Sequence, residues 1–119
     1  MIILDYRDKR PIYEQVRDKI SELIICGALA PGSKMPSVRT LALELSVNAN
    51  TVQRAYQELE ANGYLYSVLG RGNFVSETSS WQNGKKLSLS KELTALFKDA
   101  KNLGMAKEEI EKLLMTIYK

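Results

Sequence analysis

Residues 36–75 read PSVRTLALELSVNANTVQRAYQELEANGYLYSVLGRGNFV, and the order of signals within them decides the fold. Pro36 blocks any helix continuing from Met35, and Ser37 offers a hydroxyl to cap a new one. Leu41, Ala42 and Leu45 then recur at helical spacing and give a short helix one buried side, with Ala42 small enough for a second helix to cross it closely. Ser46-Val47-Asn48 is a tight polar turn, in which Val47 plugs the gap between helices and Asn48 caps the next one. That helix is predicted to run to about Ala61, with Val52, Ala55, Tyr56 and Leu59 inward and Asn62-Gly63 as its left-handed stop. Tyr64 to Val68 is aromatic and β-branched enough for a strand, Leu69-Gly70-Arg71-Gly72 turns it, and Asn73 to Ser76 returns. Two glycines flanking an arginine permit positive φ and put Arg71 at the hairpin tip. The order describes a helix-turn-helix followed by a β-hairpin wing.

Upstream, Pro11 opens a first helix whose Ile12, Val16, Ile20, Leu23 and Ile24 form one apolar stripe, stopped by Gly27 and a turn at Ala30-Pro31-Gly32-Ser33. Downstream, ETSSWQNG (77–84) is polar and reads as a linker, with Trp81 covering an adjacent core. A second helical region is predicted from about Ser90 to Gly104, with Leu89, Leu93, Leu96, Phe97 and Ala100 on one face. A last helix carries Ile110, Leu113, Leu114, Ile117 and Tyr118. The expected fold class is α+β, mostly helical. Its parts are a winged helix-turn-helix domain at 1–77, a linker at 78–86 and a two-helix tail at 87–119.

Composition excludes several function classes. No apolar run approaches the roughly 20 residues that span a bilayer, and the N-terminus lacks the basic flank of a signal peptide, so a cytoplasmic protein without membrane attachment is expected. One cysteine, Cys26, precludes an internal disulfide and is expected to pack as a small apolar residue. With no histidine and dispersed acidic residues there is no candidate catalytic residue, metal site or cofactor site. The net charge of +3 is not evidence for a nucleic-acid partner, because residues 1–77 carry nine Lys+Arg against nine Asp+Glu. The surplus lies in residues 78–119, eight against five.

The argument for DNA rests instead on which side chains a helix-turn-helix presents. A recognition helix contacts base edges through its first turns. Here those supply Asn48, Asn50, Thr51, Gln53 and Arg54. Asn and Gln pair with adenine, Thr bonds a base or packs on a thymine methyl, and Arg reaches guanine or phosphate. Arg54 has an alternative, pairing with Glu58 at i+4. Ser37 and Arg39 open the preceding helix, where backbone phosphates are met, and Gly70-Arg71 at the wing tip addresses the adjacent minor groove. A winged helix used only for protein interaction would carry bulky apolar residues in place of Asn48, Asn50, Thr51 and Gln53.

These residues give the chain a resemblance to the GntR family of bacterial transcription regulators from Pro11 to Val75. The resemblance is carried by Pro11-Ile12-Tyr13-Glu14-Gln15, Gly27-Ala28-Leu29-Ala30-Pro31-Gly32 and Met35-Pro36-Ser37-Val38-Arg39. Asn50-Thr51-Val52 with Tyr56 and Leu59-Glu60, and Gly70-Arg71-Gly72-Asn73-Phe74-Val75, complete it. It implies DNA contacts at Arg39, Asn48, Asn50, Thr51, Gln53 and Gly70-Arg71. The chain departs from many members at Ala49, where arginine or proline is common, and at Gln53, where several have arginine, so its operator cannot be borrowed from theirs. The 44 residues after Val75 are too few for the family's large effector domains. Asn102-Leu103-Gly104-Met105 with Glu108-Glu109-Ile110 is similar to the tail of the YtrA subfamily, with Ala106 where a capping Ser is usual. That subfamily's tail serves dimerisation, which would employ Leu93, Leu96, Phe97, Ile110, Leu113, Leu114 and Ile117. The implied protein is a homodimeric repressor on double-stranded operator DNA of inverted-repeat form, controlling a transporter operon. An unidentified small-molecule effector would act at the tail or where it meets the winged helix.

Overall fold

A computed structural model describes residues 2–118. The elements run α1 (Ile12–Ile25), α2 (Val38–Leu45), α3 (Ala49–Ala61), β1 (Leu65–Val68), β2 (Gly72–Val75), α4 (Gln82–Asn102) and α5 (Lys107–Ile117), with one 3-10 turn at Thr78–Ser80 before α4. The chain divides into two compact units, residues 1–83 and 84–119.

The first unit is built around α3. Val16, Ile20 and Ile24 of α1 and Leu41 and Ala42 of α2 are buried with Val52, Ala55, Tyr56 and Leu59 of α3. Leu65 and Val75 close the core from the hairpin. Ser37 caps α2 by accepting from the Thr40 N–H (3.1 Å). The turn into α3 places Ser46 at φ +56°, a left-handed conformation that few side chains other than glycine adopt. Val47 packs partly buried against the core, as its place in the turn predicts. An ion pair crosses from α1 to α3, Arg17 Nη1 to Glu58 Oε1 at 2.6 Å.

β1 and β2 pair antiparallel with Leu65 opposite Val75 and Val68 opposite Gly72. β2 is also bonded along its other edge. Gly32 N donates to Val75 O (2.8 Å), Val75 N to Ser33 O (2.9 Å) and Met35 N to Asn73 O (2.8 Å). The segment after the Ala30–Ser33 turn therefore joins the wing as a short third edge, a pairing between distant positions that local turn chemistry does not announce. At the N-terminus, buried Gln15 binds the backbone of Asp5 twice: the Asp5 N–H donates to Oε1 (2.9 Å) and Nε2 donates to the Asp5 carbonyl (3.0 Å). Ile2 and Leu4 pack on the core beside this clamp.

Two expectations need correction. The stretch 78–86, read as a linker, is a 3-10 turn followed by the first turn of α4, so α4 begins eight residues before Ser90. The reason is Trp81, which is buried against Tyr64 with ring centroids 5.4 Å apart and fixes the chain where α4 starts. Cys26 is the C-cap of α1 and exposed rather than packed, its thiol directed at the Leu23 carbonyl. The i+4 pairing of Arg54 with Glu58 weighed in the sequence is present, together with a second contact described below.

In the second unit α4 and α5 bury none of their described side chains. Ala106 is the N-cap of α5 and has no side-chain oxygen to offer; only the reciprocal half of a capping box forms, from the Ala106 N–H to Glu109 Oε1 (3.4 Å).

Gly63 has the least room of the glycines in the first unit. Its φ is +84°, and a Cβ there would run into the Ser80 carbonyl oxygen. Gly63→Ala is expected to destabilise the protein by about 2 kcal/mol or more, since strain and backbone overlap add. Urea unfolding measures this; a loss below about 0.5 kcal/mol, the usual scale of surface substitutions, would show that the Ser80 backbone yields.

Candidate nucleic-acid interface

The interface is set by how α3 is seated. Val52, Ala55 and Leu59 have no exposed surface, which fixes the rotation of the helix about its axis. Asn50, Gln53 and Gln57, spaced three and four apart, share the opposite, exposed face. Thr51 is half-buried at its margin. Asn48 caps α3 through its side-chain oxygen, which accepts from the Asn50 N–H at 2.7 Å. Its NH2 donates to no group among the described residues, so the cap leaves a donor for a phosphate. The helix N-terminus adds its dipole at the same point.

The exposed side of α2's first turn carries Arg39 beside Ser37. The Ser37 hydroxyl also donates to Thr40 Oγ1 (2.8 Å), so its polar capacity is largely taken up by the cap. This turn is tied to α3 by Tyr56, whose hydroxyl donates to the Pro36 carbonyl at 2.8 Å. Burial, with a smaller contribution from Glu44, pushes the Tyr56 phenol up to about 12.

The wing is a hairpin with Leu69, Gly70 and Arg71 between the strands. The Arg71 N–H donates to the Val68 carbonyl (2.9 Å), and Gly70 sits at φ +77°, the third position of that turn. Tyr66 and Phe74, opposite each other in the register, stack with centroids 5.6 Å apart. Ser67 Oγ lies 3.0 Å from Glu60 Oε2, linking the wing to α3. Gly70 and Arg71 are exposed as predicted. The most exposed large apolar side chain among the described residues is nevertheless Leu69, which the sequence marks only as the first residue of the turn.

Arg54 differs from its neighbours on α3. Its guanidinium lies 3.8 Å from the ring centroid of Tyr13 on α1, with Nε 3.6 Å from Glu58 Oε2. It braces α1 against α3, a role that pairs it with Arg17 across the same Glu58. The Arg17 guanidinium is held charged above its ordinary range, chiefly by its hydrogen bond to Asp18 and also by Glu58. Among the described residues no cluster of three or more His, Cys, Asp and Glu is placed to hold a metal ion, and no helix is long and apolar enough to cross a membrane.

Residues 12–75 match the family described as "Bacterial regulatory proteins, gntR family", more than half of the chain. The chain belongs to the GntR family. A relative from Bacillus subtilis (strain 168), "HTH-type transcriptional repressor YtrA", is 41% identical over 115 residues, 95% of this chain and 86% of the relative. Among solved structures, a transcriptional regulator from Oenococcus oeni superposes with TM-score 0.80 at 31% identity and covers both chains fully. The structure described as "AraR(DBD) in complex with operator ORE1" superposes with TM-score 0.55 at 34% identity, over 64% of this chain and 93% of that one. The GntR winged helix, of the YtrA type, is thus a DNA-binding transcriptional regulator and not an enzyme.

The Tyr56–Pro36 bond gives a prediction with a pH signature. Tyr56→Phe leaves a carbonyl without its donor and is expected to cost about 1–3 kcal/mol at neutral pH. Because the folded phenol titrates near 12 and the unfolded one near 10, the folded form keeps its proton longer. That contribution is complete below about 10 and is lost as pH rises toward 12. Unfolding curves should show a wild-type decline in that window that the Phe variant lacks; parallel pH profiles would refute the assignment.

Proposed function

We propose that this protein is a repressor that acts in the cytoplasm and binds an inverted-repeat operator as a homodimer, with residues 87–119 forming the dimer. The observation that carries the reading is the outward face of α3. Gln53 and Asn50 present amides able to pair bidentately with adenine, and Thr51 flanks them. Asn48, Arg39, the backbone N–H of Ser37 and the helix N-terminus meet phosphates, and Gly70-Arg71 reaches the minor groove beside it. Arg54, held by Tyr13 and Glu58, contributes by fixing α3 rather than by reading a base. The operator complex of the AraR domain and the repressor name of the Bacillus relative support both the ligand and the outcome.

The dimer is supported by the tail's surface. Leu93, Leu96 and Phe97 on α4 and Leu113, Leu114 and Ile117 on α5 are exposed, with Ile110 half-buried. Two helices that each leave a row of large apolar side chains in water are unusual on a monomer, and a second copy covers them through a two-fold contact. Two recognition helices then read half-sites about one duplex turn, roughly 34–36 Å, or a multiple apart. A transporter operon, as the resemblance to the YtrA subfamily implies, is the place to look for the operator. An effector would act by altering the spacing of the two reading heads.

Selection of bound fragments from random duplex DNA tests the whole reading. An inverted repeat is expected; recovery of fragments with no common sequence would sink it. Gln53→Ala should cost about 1–3 kcal/mol at one base pair of the selected site and relax preference there, read by competition with point-substituted duplexes. Leu113→Asp with Leu114→Asp should convert the protein to a monomer in analytical ultracentrifugation and weaken binding to the full repeat far more than to a half-site. A dimer that persists in this variant would place the interface elsewhere.

A further inference from the structure

We infer that Leu69 is a DNA contact, packing on the sugar walls of the minor groove that Arg71 enters and adding an apolar, salt-independent component to binding. The inference rests on the DNA-binding reading and deepens it at the wing. Leu69 is fully exposed at 102% of its reference surface, so it supports nothing in the fold. It stands first of the three tip residues, with Arg71 two positions on. The groove's floor and phosphates reward a cation, while the C–H groups of its deoxyribose walls are the apolar surface that a leucine can cover.

The tip is also held, so its position relative to α3 is defined. The Arg71–Val68 turn bond and the left-handed Gly70 close it, and the Tyr66–Phe74 stack stiffens the strands beneath. Ser67 ties the hairpin to Glu60 of α3, and the backbone of residues 32–35 bonds the far edge of β2. A leucine presented this way is in water only while the protein is free. On the duplex it leaves water together with the cation beside it.

The test uses the full chain and a duplex selected from random DNA with the wild-type protein, titrated by fluorescence anisotropy across a range of salt. Leu69→Ser is expected to weaken binding roughly tenfold at every salt concentration, with the slope of log affinity on log salt unchanged. Arg71→Ala should instead flatten that slope by about one unit. Leu69→Met should retain near wild-type affinity, and all three variants should unfold at the wild-type temperature because the tip carries no core contact. Leu69→Ser binding within twofold of wild type, or a changed slope like that of Arg71→Ala, overturns the inference. A wild-type protein that fails to distinguish the selected duplex from random DNA overturns the regulator reading itself, an outcome separable from either.

Discussion

The rotation of α3 about its own axis is the constraint on which the rest of the winged unit depends. Val52, Ala55 and Leu59 are wholly enclosed, and Tyr56 nearly so. Turning the helix by one residue would push Gln53 inward and bring an apolar side chain out. Burying an amide without partners costs about 1–3 kcal/mol by mutational measures, and losing a leucine's burial costs a similar amount. The core therefore decides which side chains face outward, and the reading face needs no interaction of its own to hold it. Tyr56 extends the same logic to α2, since the residue that fills the core also carries the hydrogen bond that places the turn ahead of Ser37.

Charge is arranged to match. A balanced count in residues 1–77 makes indiscriminate attraction to phosphate weak, so the disposition of individual cations matters more than their sum. Arg10, Arg17 and Arg54 are engaged with acidic partners, Arg17 clamping α1 to α3 through Glu58 and Arg54 doing so through the Tyr13 ring. Within residues 1–77, Lys9, Lys34, Arg39 and Arg71 take part in no ion pair among the described residues. Three of these four lie at α2, at the wing tip and on the 32–35 edge bonded to β2, the side on which the proposed reading puts duplex DNA.

What was legible in the sequence was what local chemistry determines. Ser37 and Asn48 cap the helices they were expected to cap, Gly63 and Gly70 take the left-handed conformations their positions demanded, and the α3 core stripe is the one its periodicity described. What was not legible depends on partners far along the chain. Tyr13 lies 41 residues before Arg54, and nothing about either announces that one ring receives the other's guanidinium. Residues 32–35 look like a turn because their partner strand is some forty positions away. Trp81 was rightly expected over a core, yet its polar surroundings hid that this contact starts a helix at once. The polar residues on the outward side of α3 were legible as chemistry, but the full exposure of Leu69 was not, since it comes from a tip geometry that only the folded hairpin defines.

The two units differ in what they can sustain alone. The winged unit encloses its own core and closes both edges of β2's backbone, whereas α4 and α5 bury no described side chain. On the proposed reading, the tail's order depends on a second copy, and so on protein concentration, while α3's seating does not. Linking two reading heads raises their joint affinity through effective concentration, with no new contact to DNA. Control of repression then needs no change at Gln53 or Asn50. Anything that loosens or re-angles the tail removes the advantage of the pair and returns each winged helix to its modest affinity as a single, electrically balanced reader.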